Sequence, residues 1–211
     1  MKTDTLIQML ARGAGPAPKL VALKRFAPVV PLGILVSTAG AFAMLGPIPP
    51  AMYETPAPWI KLAYSGLLAV FAGWLAVRLS QPAARLRVPA WSSSVVVLAM
   101  LAVGALTLLT AAPHERWAAL LGESWVACPW NVLALSIPGL AGGLLAARGL
   151  APTRPRAAGF AAGIFAGSLG AFGYAFACPE VSAAFVAVWY TLGIGLTGLL
   201  GAALGPRVLR W

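Results

Sequence analysis

Cys128 and Cys178 are the residues of this sequence best suited to chemistry. They are its two cysteines, about fifty positions apart, and each is followed directly by a proline, Pro129 and Pro179. Proline disfavours helical geometry in the residue before it, so both thiols are expected at helix ends or turns. Two thiols can form a permanent disulfide, switch with an oxidant, or hold a thiophilic metal. His114 is the one histidine available as a further ligand, and the spacing around it is not that of a zinc site. No metal or cofactor is therefore expected, and the pair is read as redox-sensing or as a permanent disulfide, with both alternatives open. Loop-closure entropy assigns such a bridge ~4 kcal/mol, an overestimate for a chain already confined by a bilayer.

Little else suggests catalysis. No H-E-x-x-H, glycine-rich phosphate loop or nucleophile elbow is present. The run Ser92-Ser93-Ser94 reads as an interfacial helix cap, because an intramembrane serine protease would need a base within a span. The protein is not expected to be an enzyme.

The elements that must position these thiols follow from composition. Of 211 residues, 60% are hydrophobic and 9% charged, with mean hydropathy +0.86. Soluble domains carry about 25% charged residues, which excludes a large soluble catalytic or nucleic-acid-binding domain. Six apolar stretches, 26–45, 59–77, 91–111, 128–147, 157–177 and 183–204, are each long enough to cross a bilayer. Backbone groups find no water in hydrocarbon, and no period-two alternation indicates a barrel, so the spans must be helices. The fold class is all-α: a polytopic bundle of six transmembrane helices.

Charge sets the orientation. Thirteen of the 15 lysines and arginines fall before the first span, in the second and fourth connections, or after the sixth; only Lys61 and Arg116 fall on the other side. The positive-inside rule then places both termini in the cytoplasm. It also explains the net charge of +10 without direct nucleic-acid binding. The predicted parts are a cytoplasmic N-terminal segment (1–25), a transmembrane domain (26–204) and a cytoplasmic tail (205–211). Lys24 and Arg25, followed by an apolar run and Ala41-Phe42-Ala43, imitate a signal peptide. The run is too long for one, so the first span is expected to stay uncleaved. Trp59, Trp91, Trp125 and Trp130 lie near span boundaries as interfacial anchors, and Lys61, two residues inside its span, is expected to snorkel outward. Cys128 and Cys178 then lie together at the outer surface, at the mouth of a hairpin of the fourth and fifth spans.

Glycines recur at helix-contact spacing: Gly139 and Gly143, then Gly159, Gly163 and Gly167, then Gly201 and Gly205. Such stripes let helices approach closely and are expected to pack within the bundle. No Asp, Glu or His falls inside a span, which leaves a coupled transporter without its usual chemistry. A small six-span permease or channel, or a membrane scaffold with a permanent disulfide, is the alternative. In the N-terminal segment a short helix is expected near residues 3–12, with Thr3 as cap and Asp4 in its first turn. Leu6, Ile7, Met9 and Leu10 then lie largely on one face. That face can rest on lipid or dock into a groove on a cytoplasmic protein.

Several stretches resemble the NrsF family of six-span membrane anti-sigma factors. They are Met1-Lys2-Thr3-Asp4-Thr5-Leu6-Ile7, Trp59-Ile60-Lys61-Leu62, Gly122-Glu123-Ser124-Trp125 and Ala151-Pro152-Thr153-Arg154-Pro155, together with Cys178-Pro179-Glu180, the run from Phe185 to Thr191, and Leu209-Arg210-Trp211. The resemblance implies a protein of the bacterial inner membrane that sequesters an extracytoplasmic-function sigma factor. It further implies that the N-terminal segment, with Asp4, Leu6, Ile7 and Leu10, binds this partner, and that Cys128 and Cys178 sense stress outside.

Overall fold

The computed structural model of the chain describes residues 3–13, 20–81 and 85–210, and the side chains of residues 6 and 11–13 fall outside that description. Ten α-helices are present among the described residues: α1 Thr3–Gly13, α2 Val21–Phe26, α3 Val29–Leu45, α4 Pro56–Leu79, α5 Arg87–Thr110, α6 Arg116–Leu121, α7 Cys128–Arg148, α8 Pro155–Tyr174, α9 Ala183–Phe185 and α10 Thr191–Val208. A π-helical turn, Val186–Tyr190, joins α9 to α10. Among the described residues six stretches are long and apolar enough to cross a membrane: Val21–Leu45, Pro56–Leu79, Arg87–Thr110, Cys128–Arg148, Pro155–Tyr174 and Ala183–Val208. Each matches one predicted span, with ends displaced by a few residues where prolines open the helix, as at Pro56 and Pro155. Proline in the first turn sacrifices no helical hydrogen bond.

The least hydrophobic span forms the axis. Helix α8 is buried along most of its length, against α3, α4, α7 and α10. Its glycines explain how. A Cβ on Gly159 would strike the carbonyl oxygen of Gly201, and one on Gly163 the carbonyl oxygen of Thr197. On the α10 side, one on Gly205 would strike that of Pro155. The two backbones are in direct contact, a separation that only residues without side chains permit. Towards α7, a Cβ on Gly139 would meet Ala166 at 3.5 Å and one on Gly143 would meet Ala162 at 3.6 Å, ordinary van der Waals distances. The predicted glycine stripes thus pack within the chain.

The core divides lengthwise into two clusters. One gathers Phe26, Leu79, Leu144, Ala147, Ala158 and Leu209, where the chain enters and leaves the bundle. The other gathers Ala41, Tyr64, Val132, Tyr174, Phe185 and Tyr190 around both cysteines. Helix α5 is the most exposed span and touches α4, α9 and the π-turn. Ser93 and Ser94 donate within α5 to the carbonyls of Pro89 and Ala90, at 2.9 and 3.1 Å. They do not cap it, because the helix already begins at Arg87.

Candidate thiol site

Cys128 is the first residue of α7, and Cys178 lies in the turn after α8. The Cys-Pro reading thus holds: Pro129 opens α7 where its missing N–H costs nothing, and Pro179 blocks continuation of α8. Both are free thiols, they share one cluster, and each lies within electrostatic reach of the other. Neither is at the surface, however. Both are wholly buried, in one core cluster with Tyr174, Phe185 and Tyr190, a burial that the sequence reading did not foresee. The two connections that carry the cysteines are also joined to each other.

A carboxylate makes that join. Oε1 of Glu180 accepts hydrogen bonds from the backbone N–H of Glu123 at 2.9 Å and of Ser124 at 2.8 Å, and from the Ser124 hydroxyl at 2.8 Å. The turn carrying Cys178 is thereby tied to the segment that leads into Cys128. Such charge-assisted bonds are about twice as strong as neutral ones. Gly122 makes the approach possible. Its backbone, at φ 57° and ψ −163°, is in a region open almost only to glycine. A Cβ there would also collide with Glu180 and Phe185.

Lys61 completes the site and overturns its predicted role. It does not snorkel: its relative exposure is 0%, and Nζ donates to the carbonyl oxygen of Cys178 at 2.7 Å. Helix α4 starts at Pro56 instead of Trp59, which sets Lys61 deeper than the sequence suggests. Glu180 and both thiols are its polar neighbours. Among the described residues no carboxylate comes within 4.0 Å of its ammonium. Below it, the Ser65 hydroxyl donates to the Lys61 carbonyl at 2.6 Å, and Tyr64 shares a 2.7 Å hydrogen bond with Thr191.

The π-turn borders the site on the α10 side. It presents Tyr190 beside the thiols and Tyr174, with ring centroids 5.7 Å apart. The Tyr190 hydroxyl is buried and has no hydrogen-bond partner among the described residues. Trp189, on the same turn, donates to the carbonyl of Leu120 at 2.9 Å and so holds α6 against it. π-turns recur at functional sites because the widened turn re-aims side chains.

The stretches around Lys61, Gly122, Cys178 and Tyr190 are far apart in sequence and meet here. A family described as "Negative regulator of sigma F", NrsF, matches residues 10–211. The chain belongs to the NrsF family. Two curated NrsF relatives align with the whole chain over their own full lengths. The probable anti-sigma-F factor NrsF of Azospira oryzae is 38% identical, and the anti-sigma-F factor NrsF of Caulobacter vibrioides is 39% identical. No solved structure matches the chain. An NrsF protein is named for regulation and not for catalysis, which fits the sparse catalytic inventory.

The other predicted residues lie elsewhere. Asp4 sits in the first turn of α1, exposed, with Ile7 and Leu10 exposed farther along the helix. The side chain of Leu6 lies outside the described residues. Thr3 belongs to the helix itself and is not its cap. His114 and Glu115 pair at 3.8 Å on the surface, away from the cysteines' core cluster. Sequence reasoning missed Lys61, Glu180 and Gly122 as site residues. The signals for them were a lysine inside an apolar span, an acid directly after Cys-Pro, and a glycine closing a short helix.

Proposed function

We propose that this protein is an inner-membrane anti-sigma factor with both termini in the cytoplasm. It holds an extracytoplasmic-function sigma factor through residues 1–25 and releases it when stress outside changes the thiol state of Cys128 and Cys178. Residues 26–204 form the membrane domain and 205–211 a cytoplasmic tail. The names of the two relatives support a sigma factor as partner.

One observation carries the reading. The cysteines pack at one end of the bundle, while Phe26 and Leu209, where the chain enters and leaves, pack at the other. A thiol pair on the oxidising side of the membrane can gain or lose a disulfide. A two-electron oxidant there takes two electrons and two protons from the thiols. The new bond fixes the start of α7 against the end of α8, and the glycine contacts of α8 with α7 and α10 carry the altered packing to the far end. Such a switch requires that the partner bind the two packings with different affinity.

The test pairs topology with output. Reporter fusions are expected to place both termini in the cytoplasm. Cys128→Ser and Cys178→Ser are expected to abolish induction of a sigma-dependent reporter by oxidant or thiophilic metal while capture of the sigma factor persists. An outer amino terminus, or unchanged induction in both variants, overturns the reading.

A further inference from the structure

Lys61 is buried where a lysine is costly. An ionisable side chain inside a membrane span is rare and usually serves a function. Among the described residues no carboxylate lies within 4.0 Å of Lys61, and Glu180 acts on it only from farther off. Its hydrogen bond goes to the main chain of Cys178, beyond the end of α8, where a carbonyl has no helical partner. The N–H of Cys178 still donates to the Tyr174 carbonyl at 3.0 Å, so the residue is held on both sides of its α-carbon. Two residues on, Glu180 is fastened to Ser124. The stretch 178–180 therefore has two anchors: one before α7, and one on α4, a helix outside the α7–α8 pair.

We propose that Lys61 is a positioning residue of the thiol pair: by holding the Cys178 carbonyl it keeps that cysteine in register with Cys128, and a disulfide forms readily only while this anchor is in place. A disulfide tolerates little misplacement. The β-carbons must stand about 3.5–4.5 Å apart and the bond prefers a dihedral near 90°. Without Lys61 the Cys178 carbonyl is a buried acceptor with no partner, and the turn is free to rotate towards another donor. The charged and titratable groups facing Lys61 are Glu180 and the two thiols, with Tyr174 and Tyr190 behind them. The proposal rests on the reading of the cysteines as the sensing pair, but not on the identity of the partner.

The test uses the full chain, purified in detergent micelles and treated with diamide. One thiolate adds to the N=N bond. The second sulfur then attacks the first, the S–S bond forms as the S–N bond breaks, and the electrons and protons leave on the hydrazine. Remaining thiols are tagged with a maleimide polymer and counted over time. Wild type is expected to lose both thiols together in one intramolecular bridge. Lys61→Met is expected to bridge at least about tenfold more slowly, since a ~1 Å misplacement can cost ~100-fold in rate. Lys61→Arg, which keeps a donor for the carbonyl, is expected to stay within about threefold of wild type.

A Met variant that bridges at the wild-type rate overturns the proposal, as does a folded Arg variant as slow as Met. If Lys61→Met does not fold, the Arg variant decides alone. Amine acylation of the wild type gives a further check: Lys61 is expected to stay unmodified while exposed Lys24 reacts, and equal rates overturn the buried anchor. A wild type that never bridges overturns the sensing pair itself, which separates that failure from a failure of Lys61.

Discussion

Glu180 and Ser124 are joined twice, by the serine's N–H and by its hydroxyl, both at 2.8 Å from one carboxylate oxygen. They are 56 positions apart, and the bonds clasp the two connections that deliver Cys178 and Cys128. Glu180→Ala removes the acceptor shared by the partly buried Glu123 and Ser124 donors. Bonds to a charged group contribute about 1.5–3 kcal/mol net, so a loss of ~2–3 kcal/mol is expected in an SDS-unfolding titration. Glu180→Gln keeps an acceptor oxygen without the charge and is expected to lose about half as much.

Gly122→Ala attacks the same clasp from its other side. The alanine must adopt backbone angles that cost about 1–3 kcal/mol for a non-glycine residue. Its methyl group must also displace the Glu180 carboxylate and the Phe185 ring. The expected result is a loss of at least ~2 kcal/mol and faster alkylation of Cys128 and Cys178, measured with iodoacetamide on the intact protein. A variant as stable and as thiol-protected as wild type would show that the connection has room to shift.

The bundle was legible in the sequence because the bilayer leaves few choices: apolar runs of span length must be helices, and spaced glycines must find a backbone. The α7–α8 hairpin and the α8–α10 contact follow from those constraints. The thiol site was legible in part. Cys-Pro placed both cysteines at helix ends, but their burial depends on how the connections fold, and no periodicity reports that. The burial of Lys61 escapes sequence reasoning because its depth depends on where α4 begins. Trp59 looks like the boundary, yet Pro56 and Pro58 are compatible with a first turn and carry the helix farther out. Glu180 could not be paired in advance, since its partners are mainly backbone N–H groups that any sequence provides.

Two glycines in the last two spans separate packing from composition. Gly159→Ala drives a methyl group into the Gly201 carbonyl, backbone against backbone, and α10 must move away from α8. Overpacking of this kind costs about 1–3 kcal/mol. A Cβ at Gly195 would meet nothing within 4 Å, so Gly195→Ala is expected to leave stability unchanged or raise it by up to about 1 kcal/mol through helix propensity. Equal effects in the two variants, measured by SDS unfolding, would mean that the glycines serve composition and not contact.

Helix α1 supplies the last prediction. It has 11 residues, too few for a stable isolated helix in water, yet Ile7, Met9 and Leu10 are all exposed on it. An apolar face on so short a helix gains stability only by burial against lipid or against a partner. The two cases differ in what a single polar replacement does. Partner grooves concentrate binding in a few apolar anchors, and losing one costs about 2 kcal/mol or more, which is roughly 30-fold in affinity. Ile7→Ser and Leu10→Ser are each expected to weaken capture of the sigma factor by that factor in a pull-down from membranes, with insertion of the protein unchanged. Asp4→Asn removes a first-turn charge worth ~0.3–1 kcal/mol to the helix, so a loss of no more than about fivefold is expected from helix stability alone, and a larger loss places the carboxylate against the partner. Capture that survives both serine variants, with loss of helix α1 from the lipid surface instead, would assign this face to the membrane.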